Sequence, residues 1–173
     1  MSELDDFRRA KDSMFAHDAD SPLPPEERTR FAGLSYYAFD ASFRFEVDVE
    51  PAESAEDLTM STSTGDEVVY RRFGAVHFTV DGQEARLTLF EDDDEGEIFI
   101  PFRDSTSGTE TYGAGRYLEV SRPAARRVTL DFNYAYNPYC AYSEAYSCPL
   151  APAENWLRVP IRAGEKRYEG HAA

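Results

Sequence analysis

Two cysteines, Cys140 and Cys148, stand eight positions apart in a string that also carries five tyrosines and two asparagines, running Leu130-Asp131-Phe132-Asn133-Tyr134-Ala135-Tyr136-Asn137-Pro138-Tyr139-Cys140-Ala141-Tyr142-Ser143-Glu144-Ala145-Tyr146-Ser147-Cys148-Pro149. Such a pair has four chemical readings. It can close a short local disulfide, though a cytoplasmic setting would keep it reduced. It can supply half of a metal site, but His17, His77 and His171 are scattered and no second cysteine pair exists, so no metal is expected. Cys140 can be a nucleophile with a base beside it. Or both can be small buried hydrophobes. A segment this aromatic and aperiodic must be packed over a sheet, because otherwise it would expose a large apolar patch.

A second aperiodic stretch is Asp104-Ser105-Thr106-Ser107-Gly108-Thr109-Glu110-Thr111-Tyr112-Gly113-Ala114-Gly115-Arg116-Tyr117. Its Gly113-Ala114-Gly115 core lets the backbone pass close to a ligand or to another strand. A dinucleotide fingerprint is excluded, since the third glycine and the strand–helix context are missing, and so is a phosphate loop, since no Gly-Lys-Ser/Thr follows. Arg116, Glu110, Asp131 and Glu154 are among the charged groups of these segments and the one that follows. They can tie the tyrosine-rich excursion to the sheet by ion pairs and hydrogen bonds. Alternatively, Arg116 grips a carboxylate or phosphate through its planar fork, with Glu110 or Asp131 as general base. Asn133 and Asn137 suit a pocket or an Asx turn.

The leading expectation is a small-molecule-binding β domain, its pocket between the Gly113–Tyr117 turn and the Asn133–Cys140 segment and lined by Tyr112, Arg116, Tyr117, Asn133, Asn137, Glu154 and Asn155. One alternative is a hydrolase- or transferase-like enzyme using Cys140, or Glu110 and Asp131. Another is a protein–protein interaction module presenting its tyrosines. No cofactor is expected.

The elements that must position these residues are short. Leu4, Phe7, Lys11, Met14 and Phe15 recur at helical spacing, and Pro24-Pro25-Glu26-Glu27-Arg28 opens a second helix that Gly33 closes. From Ser42 the period changes to two: Phe43, Phe45, Val47 and Val49 alternate with charged residues. Asp81-Gly82 between alternating runs signals a tight hairpin, pairing Phe78 with Ala85, Val76 with Leu87, Thr79 with Glu84 and His77 with Arg86. His77 reads as a surface residue. Further strands are expected at Leu87–Phe90, Ile98–Phe102, Tyr117–Val120, Val128–Phe132 and Leu157–Ile161. The acidic insert Glu91-Asp92-Asp93-Asp94-Glu95-Gly96 reads as a solvated turn, lacking the ligand alternation of a calcium loop. The fold class expected is mainly β: one domain over 1–173, with a helical segment at 1–33, an antiparallel barrel or strongly curved sheet over 42–168 and a flexible tail at 169–173.

The chain carries 33 acidic against 18 basic residues, a net charge of −15, and its cations are almost all arginine. Such a surface repels nucleic acid, and no basic patch offsets it. No apolar run approaches membrane-spanning length, and the acidic N-terminus lacks the features of a signal peptide, so a soluble cytoplasmic protein is expected. An acidic surplus of this size suits molar salt, in which the Debye length falls to about 3 Å and self-repulsion is screened.

The two aperiodic strings, with Phe31-Ala32-Gly33-Leu34-Ser35-Tyr36-Tyr37 upstream and Val159-Pro160-Ile161-Arg162-Ala163-Gly164-Glu165-Lys166 downstream, resemble the domain of unknown function 1684 family. That family's strings read approximately TSGKETYGGGRYLD and DFNKAYNPYCAYNPxYSCPLPPxEN. The resemblance extends from about Phe7 to Tyr168. This chain departs from it with Thr109 for the usual Lys, Ala114 for a Gly, Tyr134 for Lys or Arg, and Ala151 for a Pro. The resemblance implies no particular reaction.

Overall fold

The structure is a computed structural model that describes residues 2–53, 57–92 and 96–169. Helix α1 (Glu3–His17) opens on a capping box, in which the Ser2 hydroxyl accepts from the Asp5 N–H and the Asp5 carboxylate accepts from the Ser2 N–H. Its acidic first turn suits the positive end of the helix dipole. Leu4 and Phe15 turn inward, and Phe15 packs with Leu23, Ala141 and Tyr142. The second helix is shorter than expected. Only α2 (Pro25–Arg28), a single turn, forms, because no residue of it is buried to extend it.

Among the described residues eight strands follow: β1 (Arg44–Asp48), β2 (Glu50–Pro51), β3 (Asp57–Ser61), β4 (Glu67–Val80), β5 (Gln83–Glu91), β6 (Glu97–Phe102), β7 (Arg116–Ser121) and β8 (Arg127–Asp131). The β4–β5 hairpin has the expected register, with Phe78 opposite Ala85, Val76 opposite Leu87, Thr79 opposite Glu84 and His77 opposite Arg86. Asp81 and Gly82 take the positive φ values, 50° and 78°, that this turn requires. Strands β2, β4, β5, β6 and β7 lie in that order in one antiparallel sheet, with β3 also on β4. Strands β1 and β8 form a separate antiparallel pair.

Neither sheet closes, which corrects the barrel expectation. Strands β1 and β8 pair with each other instead of bridging β7 to the far edge, so they form a second layer. Alternation along the strands gives the large sheet two covered faces. On one, Val76, Phe78, Leu87, Leu89, Ile98, Ile100, Phe102 and Leu118 meet Val128, Leu130 and Phe132 in the main core. Phe45 of β1 stacks 4.9 Å from Phe78. On the other, Phe99 and Tyr117 meet Tyr70, Tyr136, Tyr139, Tyr146 and both cysteines.

Leu157–Ile161 is not a strand. It runs beside residues 103–105 through separate bonds, the Leu157 N–H to the Arg103 carbonyl, the Ser105 N–H to the Val159 carbonyl, and the Ile161 N–H to the Asp104 carboxylate. Pro160 lacks the N–H a continuous ladder would use. Residues 93–95 of the acidic insert, and 170–173 of the expected tail, lie outside the described residues. No helix among those described is long and apolar enough to cross a membrane.

Candidate functional site

After β8 the chain makes a 3₁₀ turn at Phe132–Tyr134 and crosses the free edge of β7. There Tyr136 and Tyr117 exchange two backbone hydrogen bonds of 2.8 and 3.0 Å. The crossing carries the chain from the main core to the opposite face of the sheet. A second 3₁₀ turn, Tyr139–Ala141, sets Cys140 on that face. Residues 146–150 return along the β3–β4 turn: the Ser63 N–H donates to the Cys148 carbonyl, the Leu150 N–H to the Ser61 carbonyl, and the Cys148 N–H to the Ser63 hydroxyl. Cys140 and Cys148 are thereby brought together as free thiols, 7% and 8% exposed.

The Cys140 N–H donates to Cys148 Sγ at 3.3 Å, which sets the second cysteine directly against the first. The Tyr112 hydroxyl lies 3.6 Å from Cys140 Sγ. Donation from the Cys148 thiol is the largest influence on Cys140. Together with Tyr112 and Ser63 it outweighs the cost of burial and lowers the Cys140 pKa to about 6. Cys148 moves far in the other direction, since it holds the shared proton and is itself buried. Burial, and then the neighbouring thiols, raise Tyr112, so it stays a protonated donor at neutral pH.

The other expected site residues enter separate networks. Arg116, with its side chain fully buried, donates from Nη2 to the Ile161 carbonyl at 2.8 Å and from Nη1 to those of Ala163 and Glu165, and lies 3.6 Å from the buried Asp104 carboxylate. The guanidinium sits 5.2 Å over the Phe102 ring. Its fork is therefore occupied by the 161–165 segment, which it clamps to the sheet. Gly115 (φ 104°) makes the approach possible, because a Cβ there would lie 2.4 Å from the Phe102 carbonyl. The backbone that the Gly-Ala-Gly core admits is thus that of a neighbouring strand.

Asn133 donates to Asp131 and to the Asp40 carbonyl and accepts from the Asp40 N–H. Asn137 binds the Glu165 carboxylate through its N–H, and the Lys166 carbonyl and Tyr142 hydroxyl through its side chain. Asn155 accepts from the Thr88 N–H and donates to the Thr88 and Pro101 carbonyls. Glu154 is held by Arg72 and Thr88. Burial opposes its charge, but those two partners outweigh it and hold its pKa below the ordinary value. Glu110 accepts from Arg162 and from the Tyr37 hydroxyl, which lower its pKa in that order of importance and make it a weak base. Tyr117 donates to the Pro149 carbonyl.

Residues 29–166 match the family described as Protein of unknown function (DUF1684). The chain belongs to the DUF1684 family. Among solved structures it is similar to the solution NMR structure of an uncharacterized protein of Haloarcula marismortui, at 39% identity and a TM-score of 0.73, with 95% of this chain and 92% of that one covered. No protein among the curated ones matches it.

In this DUF1684 chain the family strings converge on two tasks. Asp104, Glu110, Arg116 and Asn137 anchor the 161–167 segment, while Tyr112, Cys140 and Cys148 build the thiol cluster. Three partnerships were not visible in the sequence. Ser63, 85 positions from Cys148, has no local signal. Arg72, the partner of Glu154, lies in a run of ordinary strand residues. Lys11 of α1 forms a largely buried ion pair with Glu165; its place among the apolar residues of the helical face was visible, its partner was not. Of the family positions where this chain departs, Thr109 donates its hydroxyl to the Thr106 carbonyl and Tyr134 meets the Phe7 ring edge-on. A cleft of about 520 Å³ opens elsewhere, over β2, β4 and β5, lined by Arg72, Arg86, Thr88 and Glu50 among others.

Proposed function

We propose that the protein is a thiol-dependent domain whose reactive group is the Cys140 thiolate. The observation that carries this reading is the arrangement of three groups. The Tyr112 hydroxyl lies 3.6 Å from Cys140 Sγ, and Cys148 Sγ accepts the Cys140 N–H at 3.3 Å, on a face of the sheet built by the chain's most unusual segment. A thiolate is the nucleophilic form of cysteine, and donors aimed at sulfur hold that form at neutral pH. Arg116, Asn133, Asn137 and Asn155, the polar groups that a ligand pocket between the two strings would need, already serve backbone carbonyls and N–H groups. That leaves the thiol as the cluster's available chemistry.

Alkylation of the native protein with iodoacetamide, followed by peptide mapping, tests the reading. Cys140 should be modified in preference to Cys148, with a pH midpoint near 6. Tyr112→Phe should move the midpoint upward. Equal labelling of both cysteines, or labelling only after denaturation, would defeat the proposal.

The charge of −15 supports adaptation to high salt, and the similar protein from Haloarcula marismortui, a halophilic archaeon, points the same way.

A further inference from the structure

Resting on the Cys140 reading above, we propose that the thiol pair reduces small hydroperoxides, with Cys140 taking the oxygen and Cys148 resolving it as an intramolecular disulfide. Size excludes larger substrates. Both sulfurs belong to residues less than a tenth exposed and are enclosed by Tyr112, Tyr117, Tyr139 and Tyr146, so a disulfide on another protein has no approach to them. The substrate proposed is therefore an oxidant of a few atoms, the smallest that can reach so enclosed a pair. Cys148 Sγ lies 3.3 Å from the Cys140 backbone nitrogen, so a sulfenic acid formed on Cys140 meets the second thiol before any solute can. The Cys140 N–H on Cys148 Sγ fixes that sulfur in place.

The chemistry balances with the groups present and two co-reactants, the hydroperoxide and a low-molecular-weight thiol. The Cys140 thiolate attacks the terminal peroxide oxygen; an S–O bond forms and the O–O bond breaks. The departing alkoxide, or hydroxide from hydrogen peroxide itself, takes a proton from the Tyr112 hydroxyl, 3.6 Å from Cys140 Sγ, which solvent replaces. The Cys148 sulfur then attacks the Cys140 sulfur. An S–S bond forms, the S–O bond breaks, and the leaving hydroxide and the Cys148 proton make water. The dithiol has lost two electrons and the peroxide has become alcohol or water. Two molecules of the small thiol restore the pair by successive exchange.

Tyr112 is the part of this scheme that magnitudes can isolate. A thiol depressed to about 6 has about 30-fold more thiolate at pH 7 than free cysteine, whose pKa is about 8.5. The lower intrinsic nucleophilicity of so acidic a thiol removes about tenfold of that gain. Acidity alone therefore leaves an advantage of only about two- to threefold over free cysteine. Any acceleration beyond it comes from the donor at the leaving oxygen.

The experiment treats the reduced full chain, kept in high salt, with hydrogen peroxide and follows intact mass. The wild type should lose the mass of two hydrogens in a single exponential and regain it with a small thiol, at a rate above the factor just derived. Cys148→Ser should instead gain one oxygen, trapped on Cys140 by dimedone. Cys140→Ser should do neither, and Tyr112→Phe should fall to the rate that its own, higher alkylation midpoint accounts for by acidity alone. Near-ultraviolet circular dichroism checks that each variant is folded. A wild type that passes directly to sulfinic and sulfonic acids would overturn the proposal. So would one inert to excess peroxide while Cys140 still alkylates with its midpoint near 6, and that result would leave the thiolate reading standing. Failure of both reactions would remove both.

Discussion

Arg116 shows how one side chain can serve either a ligand or the fold. Its fork reaches three carbonyls of residues 161–165 and lies beside Asp104, and none of its side chain is exposed. Truncation removes these bonds and leaves a carboxylate buried without its cation, a change that costs about 3–5 kcal/mol. Arg116→Ala should therefore lose stability on that scale in a denaturant titration, and a loss below about 1 kcal/mol would contradict the clamp. In the sequence this residue could equally have gripped an anion. Its real acceptors are main-chain carbonyls some 45 positions downstream, and a carbonyl carries no residue-type signal. The thiol cluster was half legible for the same reason. The cysteines and their spacing are visible, whereas Ser63 and the approach of Tyr112 depend on which segments the fold lays side by side.

At the scale of elements, β5 and β6 pair through only two positions, Phe90 with Phe99 and Glu91 with Ile98, before they diverge. Asn155, on the 3₁₀ turn Ala153–Asn155, fills the gap by bonding the Thr88 N–H and carbonyl and the Pro101 carbonyl. Pro101 cannot donate to a ladder, so a side-chain wedge replaces the missing rungs. Asn155→Ala would leave three buried backbone groups unpaired, at about 1–3 kcal/mol for each group that water cannot reach. Asn155→Ala should melt well below the wild type and exchange the Thr88 amide faster, while Asn155→Asp should keep the Thr88 N–H bond alone. An unchanged Thr88 exchange rate in the alanine variant would refute the wedge. The β4–β5 hairpin was readable residue by residue because its turn chemistry and its alternation are local. Strand order was not, since the partner of β1 is β8, about 80 residues away, and alternation says that a strand has one buried face without saying what covers it.

For the molecule as a whole, charge sets the conditions under which this fold is stable. A net −15 over 173 residues opposes compaction, and salt screens that repulsion. Raising salt from about 0.1 to about 3 M should raise the melting temperature, and a temperature independent of salt would contradict salt adaptation. The buried pairs Lys11–Glu165 and Arg116–Asp104 lie out of reach of mobile ions, so the gain should come from the surface. Composition alone conveyed this property. The layered arrangement did not follow from composition or period, because it rests on the pairing of β1 with β8 and on the core that this pair shares with the large sheet.

The central claim is that one of two adjacent thiols is ionised at neutral pH and the other is not. A pH titration of thiolate absorbance in the ultraviolet, on the native reduced protein with Cys140→Ser and Cys148→Ser as references, measures it directly. The account predicts one equivalent of thiolate appearing with a midpoint of about 6 and lost in Cys140→Ser, with the second equivalent absent until strongly alkaline pH. Two equivalents titrating together near the ordinary thiol value of 9 would contradict it.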